Sequence, residues 1–112
     1  MIKYKGKQFR CPVEVGMGII SGKWKNLILW HLHEKQLRYK ELERIVPGVS
    51  QKMLTQQLKE MEADGLLLRE VYPEVPPRVE YALTELGHSV FPLLEQIHSW
   101  TVENIDFEKL DD

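Results

Sequence analysis

Apolar residues recur at helical spacing over five stretches of the chain, with strand-like runs between them. Pro12 suits the first turn of a helix running to about Ile20, and Ser21-Gly22 breaks it. From Lys23 to Glu34, Trp24, Leu27, Ile28 and Leu32 share one face, and Leu29 and Trp30 widen it, which predicts a central core helix. Leu37-Arg38-Tyr39 reads as a short strand, and Lys40 to Ile45 as a compact helix with Leu42 and Ile45 inward. Pro47-Gly48 stops that helix, because proline disfavours helix at the residue before it and glycine permits the turn. Ser50 is a natural N-cap for the next helix, which runs to about Ala63 and stops at Gly65. Leu66 to Tyr72 and Arg78 to Leu83 read as paired strands around the proline-rich loop Pro73-Glu74-Val75-Pro76-Pro77. Thr84 caps a long final helix. Its apolar positions Leu86, Val90, Leu93, Ile97 and Trp100 step by four, three, four and three, with Leu94 beside them. That stripe needs a partner, which can be the chain's own core or a second chain. Pro92 predicts a kink or a local break in it. Residues 1–10 are basic and without periodicity, as in a loose arm, and 105–112 form an acidic tail, leaving 11–104 as the domain.

The predicted fold is mainly α with a small β-hairpin, laid out as a helix, a turn, a second helix and a hairpin behind it: a winged helix-turn-helix. On the second of these helices Leu54, Leu58 and Met61 face inward, with Met53 at the edge. Lys52, Thr55, Gln56 and Lys59 form a different face that carries no acid. An ordinary solvated face would mix signs. Gln reads adenine edges, Lys reads guanine or phosphate, and Thr meets a base edge or a thymine methyl. With Ser50 and Gln51 at the helix start, where unpaired N–H groups attract phosphate, these residues are candidates for reading duplex DNA. Arg78, where the loop re-enters the hairpin, is the candidate for the wing, unless it pairs with a nearby acid. Lys23, Lys25, Arg38 and Lys40 are candidate phosphate contacts at the edges of the core helices.

Charge sharpens this picture. A net charge of −2 is unusual for a DNA binder. Yet residues 1–59 hold twelve Lys or Arg against four acids, and 60–112 hold three against thirteen, so one basic face is available. At 112 residues the chain forms one domain with a real core. No apolar run approaches the roughly 20 residues needed to cross a bilayer, and the N-terminus lacks the apolar stretch of a signal peptide. The expected location is therefore the cytoplasm, without a membrane partner. The four histidines and one cysteine offer no zinc set of normal spacing. Gly22-Lys23 is not a phosphate-binding loop, because position 17 is Met and Trp24 follows the lysine. No nucleophile and base are paired by motif, so neither a cofactor nor an enzymatic activity is expected. Cys11, between Arg10 and Pro12 at a helix start, sits where positive charge and the helix dipole favour the reactive thiolate. A small thiol packed near an interface is the alternative.

Several segments together resemble the HxlR-type family of bacterial winged helix-turn-helix regulators. They are Cys11-Pro12, GKWKNLILWHL from Gly22, RYKELER from Arg38, PGVSQKMLTQQLKEMEADGLLLRE from Pro47 and VPPRVEYALTELG from Val75. They follow the family's order over about residues 11–100. The resemblance implies a homodimer on DNA, held by terminal helices, with Leu86, Val90, Leu93, Leu94, Ile97 and Trp100 meeting a second copy. It also implies that the recognition helix is Ser50 to Ala63 and the wing Tyr72 to Tyr81. Some members use a cysteine at the position of Cys11 to sense oxidants or electrophiles, so an oxidant or small-molecule effector is an expectation here. The alternative from another class is a winged helix used for protein–protein contact, without DNA.

Overall fold

A computed structural model of the chain describes residues 1–110. Two short strands, β1 (Ile2–Tyr4) and β2 (Lys7–Phe9), lead into α1 (Pro12–Ile20) and α2 (Lys25–Leu32). Then come β3 (Leu37–Arg38), α3 (Tyr39–Ile45), α4 (Gln51–Ala63), β4 (Leu67–Tyr72), β5 (Arg78–Leu83) and the long α5 (Glu85–Asn104). The mixed α+β architecture with a hairpin wing is the one the sequence pattern predicts.

The N-terminal arm is the first departure. Residues 1–10 are not a loose arm but an antiparallel hairpin, in which Tyr4 pairs with Lys7 across a two-residue turn. Both turn residues have positive φ, 46° at Lys5 and 79° at Gly6, which is the backbone that the twist of a two-residue hairpin favours. The Lys5 ammonium reaches across to α4, donating to the Ala63 carbonyl at 3.1 Å and to Asp64 Oδ1 at 2.7 Å. A cation there meets the negative end of the α4 dipole.

The core is built from α2, α3, α4, one side of α5 and the three-stranded antiparallel sheet, ordered β3-β5-β4. Ile28, Leu42, Leu54 and Met61 have no exposed surface, and Leu29, Leu58, Leu66 and Leu67 have almost none. Local chemistry sets the ends of α4. The Ser50 hydroxyl accepts from the Met53 N–H at 3.1 Å, satisfying a free donor of the first turn. At the other end Gly65 adopts φ +79°, the Leu66 N–H reaches the Met61 carbonyl and the Gly65 N–H reaches that of Glu62. This double closure is the Schellman ending, and it turns Leu66 into the core.

α5 starts where Thr84 accepts from the Gly87 N–H at 3.1 Å. It packs on α2 through an aromatic cluster. Trp30 meets Phe91 at 5.0 Å between ring centroids, and His33 stacks on Phe91 at 3.6 Å, with its Nδ1 3.2 Å from that of His88. Pro92 does not interrupt the helix, which is continuous from Glu85 to Asn104. Val90 and Leu94 are 6% and 8% exposed and belong to the chain's own core, which corrects their assignment to a contact with a second copy. Leu86, Leu93, Ile97 and Trp100 are more than half exposed. Residues 105–110 of the acidic tail form no regular element, and its last two residues, Asp111 and Asp112, lie outside the described residues.

Candidate nucleic-acid interface

α4 turns Leu54, Leu58 and Met61 inward, and Ser50 at its N-cap with Gln51, Lys52, Thr55, Gln56 and Lys59 along it are all exposed. Five of these, Gln51, Lys52, Thr55, Gln56 and Lys59, line one shallow depression together with Tyr39 and Glu60. Their roles within it differ. The Ser50 hydroxyl is committed to the helix cap. Tyr39, at the start of α3, donates its hydroxyl to the Gln51 carbonyl at 3.0 Å and lies 3.2 Å from Thr55 Oγ1. Thr55 is thus tied to the preceding helix. The side chains with free polar ends on this face are Gln51, Lys52 and Lys59, while Gln56 donates one N–H to Glu60 Oε1 at 3.4 Å and keeps its amide oxygen unengaged.

The flanking cations divide sharply. Lys25 is not a free surface charge: the residue is 8% exposed and its ammonium lies 3.0 Å from Glu60 Oε2. This corrects its assignment as a surface phosphate contact, since reaching a phosphate requires a nearly buried ammonium to leave its partner Glu60. Arg78 is also engaged. Its Nε is 3.0 Å from Glu80, a terminal nitrogen is 3.4 Å from Glu74, and its guanidinium lies over the Tyr72 ring at 4.2 Å. The acid-paired alternative describes its placement, so the wing tip presents no free arginine. Tyr72 in turn donates to Glu70 at 2.9 Å, and that bond to a carboxylate raises the phenol's pKa.

Arg38, Lys40 and Lys23 are exposed. Arg38 and Lys40 line one groove with Arg44, Glu41, Glu80 and the loop from Glu74 to Arg78, so the first helix of the motif and the wing border a shared channel of mixed charge, with its cations on the helix side. Arg44 was not singled out by sequence. Its spacing of four from Lys40 on a short helix was the available signal. Tyr39 was missed too, because its partners lie twelve and sixteen residues away.

This arrangement has relatives. The profile of the HxlR-like helix-turn-helix family matches residues 19–109. The chain belongs to the HxlR-like family. An uncharacterized HTH-type transcriptional regulator of Methanothermobacter thermautotrophicus is 52% identical over 93 residues, covering 83% of this chain and 71% of that one. The HTH-type regulator YybR of Bacillus subtilis is 47% identical over 96 residues, covering 86% and 77%. Among solved structures, the redox regulator HypR in its reduced form is similar with a TM-score of 0.82 at 46% identity, covering 86% of this chain and 95% of that one. The HxlR-like family is one of transcriptional regulators, not enzymes.

Two further features of this HxlR-like chain lie away from α4. Cys11 is exposed and stands at the N-cap of α1, with Pro12 in the first turn. α1 buries none of its residues, and Val13 and Met17 are 70% and 50% exposed. No helix among the described residues is long and apolar enough to cross a membrane.

Proposed function

We propose that this HxlR-like protein is a sequence-specific DNA-binding transcriptional regulator of the cytoplasm, acting as a homodimer on an inverted-repeat operator. One observation carries the reading. The exposed face of α4 offers Gln51, Lys52, Gln56 and Lys59; acids enter only at its C-terminal end, where Glu60 is paired with Lys25 and Glu62 lies beside Lys59. Such a helix suits a major groove, with its apolar back held on the core. The exposed stripe on α5 and the uncovered α1 supply apolar surface for a second copy. Two linked reading heads about 34 Å apart gain avidity over one.

The test is footprinting on a fragment enriched from genomic DNA, with binding measured across salt. Two protected half-sites related by a two-fold axis, and affinity falling steeply with salt, are expected. A single protected half-site at saturation would refute the dimeric operator. A protein-only winged helix would give no binding to titrate. Within the reading head, Lys52→Ala should weaken the operator far more than random DNA, whereas an equal loss on both would reduce Lys52 to a phosphate contact.

A redox input through Cys11 is favoured by its exposure at a helix N-cap. The similar structures include HypR, described as a redox regulator, and a diamide-treated form of YodB from B. subtilis with a TM-score of 0.71 at 32% identity. Diamide would take two electrons from two Cys11 thiols and join them as a disulfide. Operator affinity should then change in wild type and not in Cys11→Ser. Unchanged binding with a fully titratable thiol would dismiss the input.

A further inference from the structure

Glu60 stands one turn beyond Gln56, at the margin of the face proposed to read DNA. Its two carboxylate oxygens are divided between two partners. Oε2 lies 3.0 Å from the Lys25 ammonium, which comes from the first turn of α2 behind the recognition helix. Oε1 accepts from Gln56 Nε2 at 3.4 Å. The Lys25 side chain is only 10% exposed and that of Glu60 43%, so the acid is held from the core side.

This pair is poorly explained as a stabilising device. A cation in the first turn of a helix opposes the dipole. Glu60 is partly solvated, so the pair's attraction is screened, while Lys25 still bears the cost of leaving water. What it does supply is orientation. A carboxylate only accepts hydrogen bonds, whereas an amide has one accepting and one donating end. Facing Glu60, the Gln56 amide must turn its nitrogen inward along the helix and leave Oε1 and one N–H outward.

We propose that Lys25 and Glu60 are positioning residues that fix the polarity of the Gln56 amide, so that Gln56 specifies adenine in the operator. Oε1 accepts from adenine N6 and the remaining Nε2 proton donates to N7, the bidentate pairing glutamine makes in the major groove. This rests on the DNA-binding reading and deepens it. It also gives buried Lys25 a role in recognition without contact to DNA. Its charge keeps Glu60 from repelling the phosphates while leaving the carboxylate in place.

The test is selection from a randomised duplex library with wild type, Gln56→Ala, Glu60→Gln and the double variant Lys25→Met/Glu60→Gln, each first shown to melt cooperatively. The double variant leaves no buried cation unpaired if Glu60→Gln alone fails to fold. The base pair whose preference vanishes in Gln56→Ala is the one Gln56 reads, and wild type should prefer adenine there. A glutamine at position 60 either donates or accepts, so the amide of Gln56 loses its fixed polarity. In both position-60 variants the adenine preference at that pair should fall at least threefold, with preferences elsewhere in the site unchanged. A merely structural pair would weaken all positions together, and that result overturns the proposal. So does an unchanged preference at the Gln56 pair, a base other than adenine there, or no pair that depends on Gln56. If wild type enriches no sequence, the DNA-binding reading itself has failed, which is a separate outcome.

Discussion

No side chain fits at Gly87. A Cβ there would lie 2.1 Å from the Leu66 carbonyl oxygen and 3.1 Å from the Leu83 side chain. Backbone cannot swing aside as a side-chain tip can, so Gly87→Ala must push the start of α5 off the sheet. The expected cost is at the upper end of about 1–3 kcal/mol. It is read as a lower urea midpoint at constant slope, and an unshifted midpoint would mean that α5 re-seats freely. Lys5 gives a pH-dependent case. Its hydrogen bond to Asp64 is the main cause that raises its pKa above the ordinary 10.5. The folded state therefore holds the proton more tightly than the unfolded one. The tether's contribution is whole below the unfolded value and is lost as pH rises through the folded one. The stability difference between wild type and Lys5→Met should hold steady from neutral pH to about 9.5 and shrink above it. A difference already gone near pH 8 would exclude the tether. Neither residue was legible in the sequence, and the reason is the same. Gly87 meets Leu66 and Lys5 meets Asp64 only through the tertiary fold.

Elements whose limits are set by adjacent residues were the readable ones. Ser50 and Gly65 mark the ends of α4 because capping acts within a turn, and the structure uses both. The β1–β2 hairpin was hidden for the opposite reason. Three-residue strands carry too little alternation to show, and Lys5 is an unusual residue for a left-handed turn position. α5 was half legible. Its stripe is real but spans two faces. At about 100° per residue, Val90 and Leu94 fall toward the side of Gly87 and Phe91, while Leu86, Leu93, Ile97 and Trp100 cluster on the neighbouring side. A four-three spacing joins both sides into one seam. Pro92 was expected to disturb this helix, which nevertheless continues through it. Proline still removes one N–H from the ladder, leaving the His88 carbonyl without its usual donor. Pro92→Ala is expected to stabilise the protein by about 1–3 kcal/mol, measured by thermal or urea unfolding. No gain would show that the surroundings of Pro92 already offset the missing hydrogen bond.

For the whole molecule, the unanswered demand is the apolar surface that a single chain leaves open. The candidate reading face was legible because exposed polar residues at helical spacing need no tertiary knowledge, and all of its predicted positions lie on the exposed side of α4. Which stripe residues the chain covers itself could not be read, since burial depends on where α2 lies. The structure separates them and so makes the proposed dimer testable. Leu93 and Ile97 are 53% and 55% exposed, so an acid there costs an isolated chain little. In a two-fold dimer through this face, each substitution would bring two unpaired carboxylates into an apolar contact, where burying them is costly. Leu93→Glu and Ile97→Glu should therefore sediment as monomers with native circular dichroism, whereas Val90→Glu, buried in the chain's own core, should unfold. Loss of the partner removes avidity, and operator affinity should fall on the order of 10²-fold or more. Binding to a single half-site should change far less, because α4 itself is untouched. A Leu93→Glu protein that remains dimeric would place the interface elsewhere, and a monomer with full operator affinity would show that the reading head does not work in pairs.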